Sequence, residues 1–144
     1  MPDSSGQPPP SAGDSNRATI FLVDADDAVR DAVASALRAA GLRTRAFGSA
    51  EPFLAAYTPG QPACLVVDLD LPTDGIGLLR ALAAAGHALP AIVTSRRLRR
   101  RTTASALSPM PTLLLEKPFG VDDLLPLIRR ALALPDATEG GRAG

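Results

Sequence analysis

Short apolar runs recur along the chain at Thr19–Val23, Leu42–Phe47, Ala63–Val67, Ala91–Thr94 and Thr112–Leu115, each of strand length. Three of them are apolar almost throughout, the pattern of strands covered on both faces. Between the runs, apolar positions fall at helical spacing. Val29, Val33 and Leu37 repeat every fourth residue, and Gly41 follows as a stop. Ser49, Glu51 and the stretch Pro52–Tyr57 predict a short second helix. Leu78, Leu79 and Leu82 mark a third, closed by Gly86. Leu124, Ile128 and Leu132 mark the last, after Gly120 and the acidic turn Asp122–Asp123. Pro126 lies early in that helix and is expected to distort or shorten its first turns. A further helix over about Leu98–Leu107 has the weakest pattern, because Arg96 to Arg101 is nearly all arginine and Pro109 and Pro111 follow. Five strands alternating with five helices predict an α/β domain, doubly wound around a parallel sheet.

The flanks break this pattern. Residues 1–17 are rich in Ser, Pro, Gly and Asp without a hydrophobic period, and 135–144 read the same way, so both are expected to be disordered tails around a domain at 18–134. The first residues lack the basic and apolar regions of a signal peptide, and no apolar run is long enough to span a bilayer. A cytoplasmic protein is the expectation. Among 144 residues there is one cysteine, Cys64, and one histidine, His87, which excludes an internal disulfide framework and metal sites rich in these ligands. Cys64 reads as a core residue, His87 as a loop residue without a role, and Phe53 and Tyr57 as packing for the second helix. Fifteen basic residues balance fifteen acidic ones, so no global attraction to nucleic acid is expected.

In a doubly wound sheet, ligands bind beyond the carboxyl ends of the strands. Those ends carry Asp24–Asp26 after the first strand, Asp68 and Asp70 after the third, Ser95 and Arg96 after the fourth, and Glu116–Lys117 after the fifth. The winding gathers Asp24, Asp68, Ser95 and Lys117 on one edge. Adjacent carboxylates resist joint ionisation unless a cation neutralises them, and Mg²⁺ or a lysine ammonium can do so. An ionised Asp68 can attack a phosphoryl group to form an aspartyl phosphate. Lys117 would then neutralise developing charge and the Ser95 hydroxyl would donate to the phosphate. The competing reading is a set of helix caps and solvated turn residues, which Asp and Ser favour at such positions.

The pieces FLVDADDAVRDAV, AFGSAEPFL, CLVVDLDLP with a later GLLR, PAIVTS and LLLEKPF span nearly the whole domain. With them the segment Ile20–Leu132 resembles the receiver domain of bacterial response regulators in two-component signalling, above all receivers that precede LuxR-type DNA-binding domains. The resemblance implies a flavodoxin-like sheet of order 2-1-3-4-5, Asp68 as phosphoacceptor, Asp24 as an acidic-pocket residue, Ser95 as switch hydroxyl and Lys117 as the phosphate-neutralising lysine. Asp26 is a further candidate for the acidic pocket that would have to reach back to it. The resemblance also implies Mg²⁺ as cofactor and a histidine kinase or histidine phosphotransferase as phosphodonor. The candidate metal ligands in this sequence are Asp24, Asp68 and Asp70, although the family supplies a backbone carbonyl at the position of Asp70.

Departures from the family pattern bear on the same site. The second of two adjacent acids after the first strand is replaced by Ala25, which is expected to weaken or abolish Mg²⁺ binding unless Asp26 or Asp70 supplies the lost charge. Arg96 stands where a small residue usually follows the switch hydroxyl, and can clamp a phosphate or fill its pocket. Arg97 is placed to pair with Asp70. Leu114 replaces the aromatic switch residue, the loop after Leu71–Pro72 reads about one residue short, and Pro109, Met110 and Pro111 replace the usual turn before the last strand. The run Arg96, Arg97, Arg99, Arg100 and Arg101 falls on the family's output face. It reads first as a solvated basic face, next as a surface for an acidic partner, and least as a nucleic-acid contact.

Two functions follow. One is a stand-alone receiver that takes a phosphoryl group on Asp68 and signals to an unknown output protein by contact, with a homodimer among the outcomes; it is not an enzyme beyond self-phosphorylation and autodephosphorylation. The other is a pseudo-receiver that binds proteins without phosphorylation. Asp68–Leu69–Asp70 also resembles the motif of haloacid-dehalogenase-type phosphatases, but the chain after Lys117 is too short for the rest of that architecture. No glycine-rich loop follows the first strand, which argues against nucleotide binding.

Overall fold

The computed structural model describes residues 18–70, 75–87, 89–96 and 112–133. In chain order these form β1 (Thr19–Val23), α1 (Asp27–Ala39), β2 (Arg43–Phe47), α2 (Ala50–Ala56), β3 (Ala63–Asp68), α3 (Gly75–Ala84), β4 (Ala91–Ser95), β5 (Thr112–Glu116) and α4 (Val121–Ala133). The expected tails, the helix over Leu98–Leu107, the loop after Leu71–Pro72 and Pro109–Pro111 lie outside the described residues.

The five strands pair in the order β2-β1-β3-β4-β5, every pair parallel, so the sheet has the expected flavodoxin-like winding. Successive strand side chains alternate between faces, and each face has its own core. Phe21, Val23, Leu65, Val67 and Val93 pack with Phe53 of α2 and Leu78, Leu79 and Leu82 of α3. Ile20, Leu22, Cys64, Val66 and Ile92 pack on the opposite face with Ala34 and Leu37 of α1 and Leu124, Ile128 and Ala131 of α4. β3 is buried along its whole length, which explains why its sequence is apolar without alternation.

Gly41 and Gly86 adopt φ of +90° and +82° just beyond α1 and α3, the left-handed conformation that ends a helix. Cys64 is a core residue, and burial pushes its thiol up to about 12, so it stays protonated. Phe53 and Tyr57 pack as expected, their ring centroids 5.7 Å apart, and Tyr57 also meets the His87 ring edge-on at 5.3 Å. One expectation differs. Helix α4 runs unbroken through Pro126. The missing amide leaves only the Asp122 carbonyl without its helical donor, and both residues are exposed, so water can serve that carbonyl.

Candidate functional site: an acidic pocket at the carboxyl edge of the sheet

Parallel pairing brings the strand ends level. Val23 pairs with Val67, Asp68 with Thr94, and Ser95 with Glu116. Backbone bonds continue past the ladders: Leu69 N donates to Thr94 O at 2.8 Å, and Lys117 N to Ser95 O at 2.9 Å. Asp24, Asp68, Ser95 and Lys117 are therefore carried to one edge by rigid elements.

Lys117 Nζ lies 3.0 Å from Asp24 Oδ2 and 3.0 Å from Asp68 Oδ2, a single ammonium shared by two buried carboxylates. Each carboxylate also accepts a backbone amide two residues on. Asp26 N donates to Asp24 Oδ1 and Asp70 N to Asp68 Oδ1, both at 2.8 Å. Burial pushes the Asp68 carboxyl up, with the Asp70 amide and Lys117 opposing and the Asp24 charge adding to the rise. Burial works against the Lys117 charge, but its bonds to Asp24 and Asp68 outweigh it and hold the ammonium above the usual lysine range.

Two acids expected in this pocket are engaged elsewhere. Asp26 is the N-cap of α1, its Oδ1 accepting from Val29 N at 3.1 Å, so its carboxylate serves an orphan helix amide instead of the pocket. Asp70 turns toward β4. Ser95 Oγ donates to its Oδ1 at 3.2 Å and Arg96 N to its Oδ2 at 2.9 Å. The expected metal trio of Asp24, Asp68 and Asp70 therefore does not converge, and no cluster of three acidic, histidine or cysteine ligands occurs among the described residues. The reason is local: the buried Ser95 hydroxyl and the exposed Arg96 amide at the end of β4 stand within reach of a short side chain at position 70.

Arg96 is exposed and lines a groove of about 490 Å³ with Val29, Ala32 and Val33 of α1 and Lys117, Pro118 and Phe119. The Lys117–Pro118 peptide is cis. Arg97, Arg99, Arg100 and Arg101, and with them the expected pairing of Arg97 with Asp70, lie outside the described residues. Leu114 is half-buried against the α2–α3 core.

Two contributors escaped the sequence reading. Arg30 donates from Nη1 to Asp24 O at 2.8 Å and pairs with Asp27, bracing the end of β1. Its signal is a basic residue near the N-terminal end of a helix, where the macrodipole disfavours one. Gly75 opens α3 directly under the site. A Cβ there would sit 2.9 Å from Asp68 O and 3.2 Å from Leu69 Cα. Gly75→Ala is expected to destabilise the protein by roughly 1–3 kcal/mol, the usual cost of overpacking, although helix propensity alone favours alanine. Urea unfolding checks this. A gain in stability would show that the backbone under Asp68 yields freely.

A doubly wound parallel sheet that gathers two carboxylates, a lysine and a hydroxyl at its carboxyl edge defines a class of acidic-pocket α/β domains. Within that class, the response regulator receiver domain family matches residues 20–129, and the chain belongs to it. Response regulator protein TmoT of Ectopseudomonas mendocina is 35% identical over 116 residues, which cover 80% of this chain and 53% of that protein. Transcriptional regulatory protein TdiR of Thauera aromatica is 34% identical over 120 residues, 83% of this chain and 53% of the relative. Among solved structures, the response regulator StyR superposes with a TM-score of 0.76 at 32% identity, covering 88% of this chain and 64% of that one. FixJ-N gives 0.71 at 30% identity, with 82% and 96% covered. The chain spans about half the length of the curated relatives it matches. Among the described residues, no helix is long and apolar enough to cross a membrane.

Proposed function

We propose that this receiver domain accepts a phosphoryl group on Asp68 and passes the signal on by protein contact, in a cytoplasmic two-component or phosphorelay pathway. The observation that carries the reading is the shared contact of Lys117 Nζ with Asp24 and Asp68 at 3.0 Å. The ammonium keeps an acceptor carboxylate ionised in a buried setting and stands ready to neutralise added charge.

Asp68 attacks the phosphorus of a phosphohistidine on a kinase or phosphotransferase. The new O–P bond forms as the P–N bond breaks, and the imidazole leaves with its electron pair and takes a proton from solvent. Water attack on phosphorus later restores the carboxylate and releases inorganic phosphate, so the chain is a carrier and not a turnover enzyme. The apolar groove of α1, Pro118 and Phe119 adjoins Lys117, and the donor protein is proposed to rest there.

Asp24 and Asp68 fit a Mg²⁺ held by two carboxylates and several waters. The ion would supply further neutralisation of phosphoryl oxygens. With Asp26 and Asp70 turned away and alanine at position 25, the site is proposed to be weak.

Incubating the protein with Mg²⁺ and acetyl phosphate tests this reading. Intact mass should show one phosphoryl group, mapped to Asp68 by peptide analysis. A folded protein that stays unmodified at saturating donor and metal overturns it. The engagement of Asp70 with Ser95 and Arg96 favours the second reading, a pseudo-receiver that binds its partner without phosphorylation.

A further inference from the structure

We propose that the carboxylate of Asp70 is a built-in competitor for the phosphoryl group, occupying donors at the end of β4 that a phosphorylated Asp68 needs. The inference rests on Asp68 being the phosphoacceptor and adds the regulation of that site.

Ser95 Oγ and Arg96 N are neighbouring donors, and each already points at a different oxygen of one anion, at 3.2 and 2.9 Å. An oxyanion grown on Asp68 would be held in the same two-oxygen manner. Asp68 is beside these donors: it pairs with Thr94 in the register, and Leu69 N is bonded to Thr94 O. Asp70 is also tied to the acceptor itself, since its own amide donates to Asp68 Oδ1 at 2.8 Å. One residue thus touches the acceptor with its backbone and the phosphate donors with its side chain.

The side-chain chemistry suits this task. Asparagine presents one accepting oxygen where aspartate presents two, and alanine presents none. A phosphoryl group adds nearly two negative charges beside a carboxylate that already holds the donors, so the two anions repel and cannot share them. Asp70 must swing out before Ser95 and Arg96 can turn to the phosphate. The displaced bonds are charge-assisted, and losing such a bond changes an equilibrium by roughly tenfold or more. In the resting protein the same contact ties the β3 end to the β4 end and holds the Ser95 hydroxyl on Asp70.

Beryllofluoride, which mimics a phosphoryl group on carboxylates, tests the competition when titrated with Mg²⁺ and followed by ¹⁹F NMR. The full chain is compared with Asp70→Ala, Asp70→Asn, Ser95→Ala and the Ser95→Ala/Asp70→Ala double variant, each checked for folding by circular dichroism. Asp70→Ala is expected to bind roughly tenfold tighter than the parent, the scale of one charge-assisted bond. Asp70→Asn gains less in the same direction, and it carries the test alone if the alanine variant does not fold. In the Ser95→Ala background the gain from Asp70→Ala shrinks, because one contested donor is gone. Binding by Asp70→Ala that equals or falls below the parent overturns the competition and leaves Asp68 as acceptor. So does a gain of the same size in both backgrounds, which marks simple charge repulsion. Absence of binding by all the folded proteins overturns the acceptor reading and the competition together.

Discussion

Replacing Lys117 with methionine is expected to lower stability by roughly 3 kcal/mol at neutral pH, the scale on which removing one partner of a buried ion pair acts. It is also expected to change how stability responds to pH. Methionine keeps much of the lysine stem, so the change isolates the charge. The side chains of Lys117, Asp24 and Asp68 are 9%, 3% and 6% exposed, so water cannot replace the lost ammonium well. In the parent protein the Lys117 ammonium is held above the usual lysine range by its two carboxylates. Its stabilisation is therefore complete below that range and is lost only as the pH rises through the folded-state value. Asp68 follows the same sign at lower pH, because burial raises its folded value too. The folded state takes up the proton first, and stability from this group grows as the pH falls through the folded-state value. Without Lys117 the rise of Asp68 increases, since only the Asp70 amide then opposes burial and the Asp24 charge. The variant should lose the alkaline transition and regain stability on acidification from neutral pH, where the parent changes less. Adding Asp24→Asn should return much of the loss. Urea midpoints across a pH series read all of this, and an equal loss at every pH would show that Lys117 does not neutralise the pair.

The fold was legible because period and residue type agree in every described element. Apolar runs of strand length alternate with fourfold helical spacing, and the two cores separate along the strands residue by residue. The gathering of Asp24, Asp68, Ser95 and Lys117 was legible for the same reason, since parallel winding fixes where strand ends lie. Side-chain direction in the turns was not. Asp26 and Asp70 are short acids among several local donors, and sequence spacing does not say which donor wins. The Val29 amide took one, and Ser95 Oγ with the Arg96 amide took the other. Gly75 was hidden because a close backbone approach leaves no mark on hydrophobic pattern, and Pro126 misled because a missing amide costs little where the freed carbonyl faces water.

Ala25→Asp is expected to tighten Mg²⁺ roughly ten- to a hundredfold, a range over which changes even to groups behind the ligands already act. Position 25 follows Asp24 directly at the end of β1 and is exposed, so a longer side chain meets no core. As the site stands, Asp24 and Asp68 each give one oxygen to Lys117 and the other to a backbone amide. The trio carries one net negative charge when both carboxylates are ionised, little attraction for a hard divalent cation that must shed water to bind. A further carboxylate raises that charge and supplies an oxygen not already committed to a neighbour. The same change should weaken the metal-free fold, because three acids then share one ammonium. Added Mg²⁺ should restore stability in proportion to occupancy. Calorimetric titration gives the affinity, and thermal unfolding with and without Mg²⁺ gives the linkage. Combining the change with Asp68→Asn should erase most of the gain, because the ion then loses a carboxylate on β3. An affinity unmoved by Ala25→Asp would place the cation away from Asp24 and leave Lys117 as the chief counter-charge to the Asp68 carboxylate.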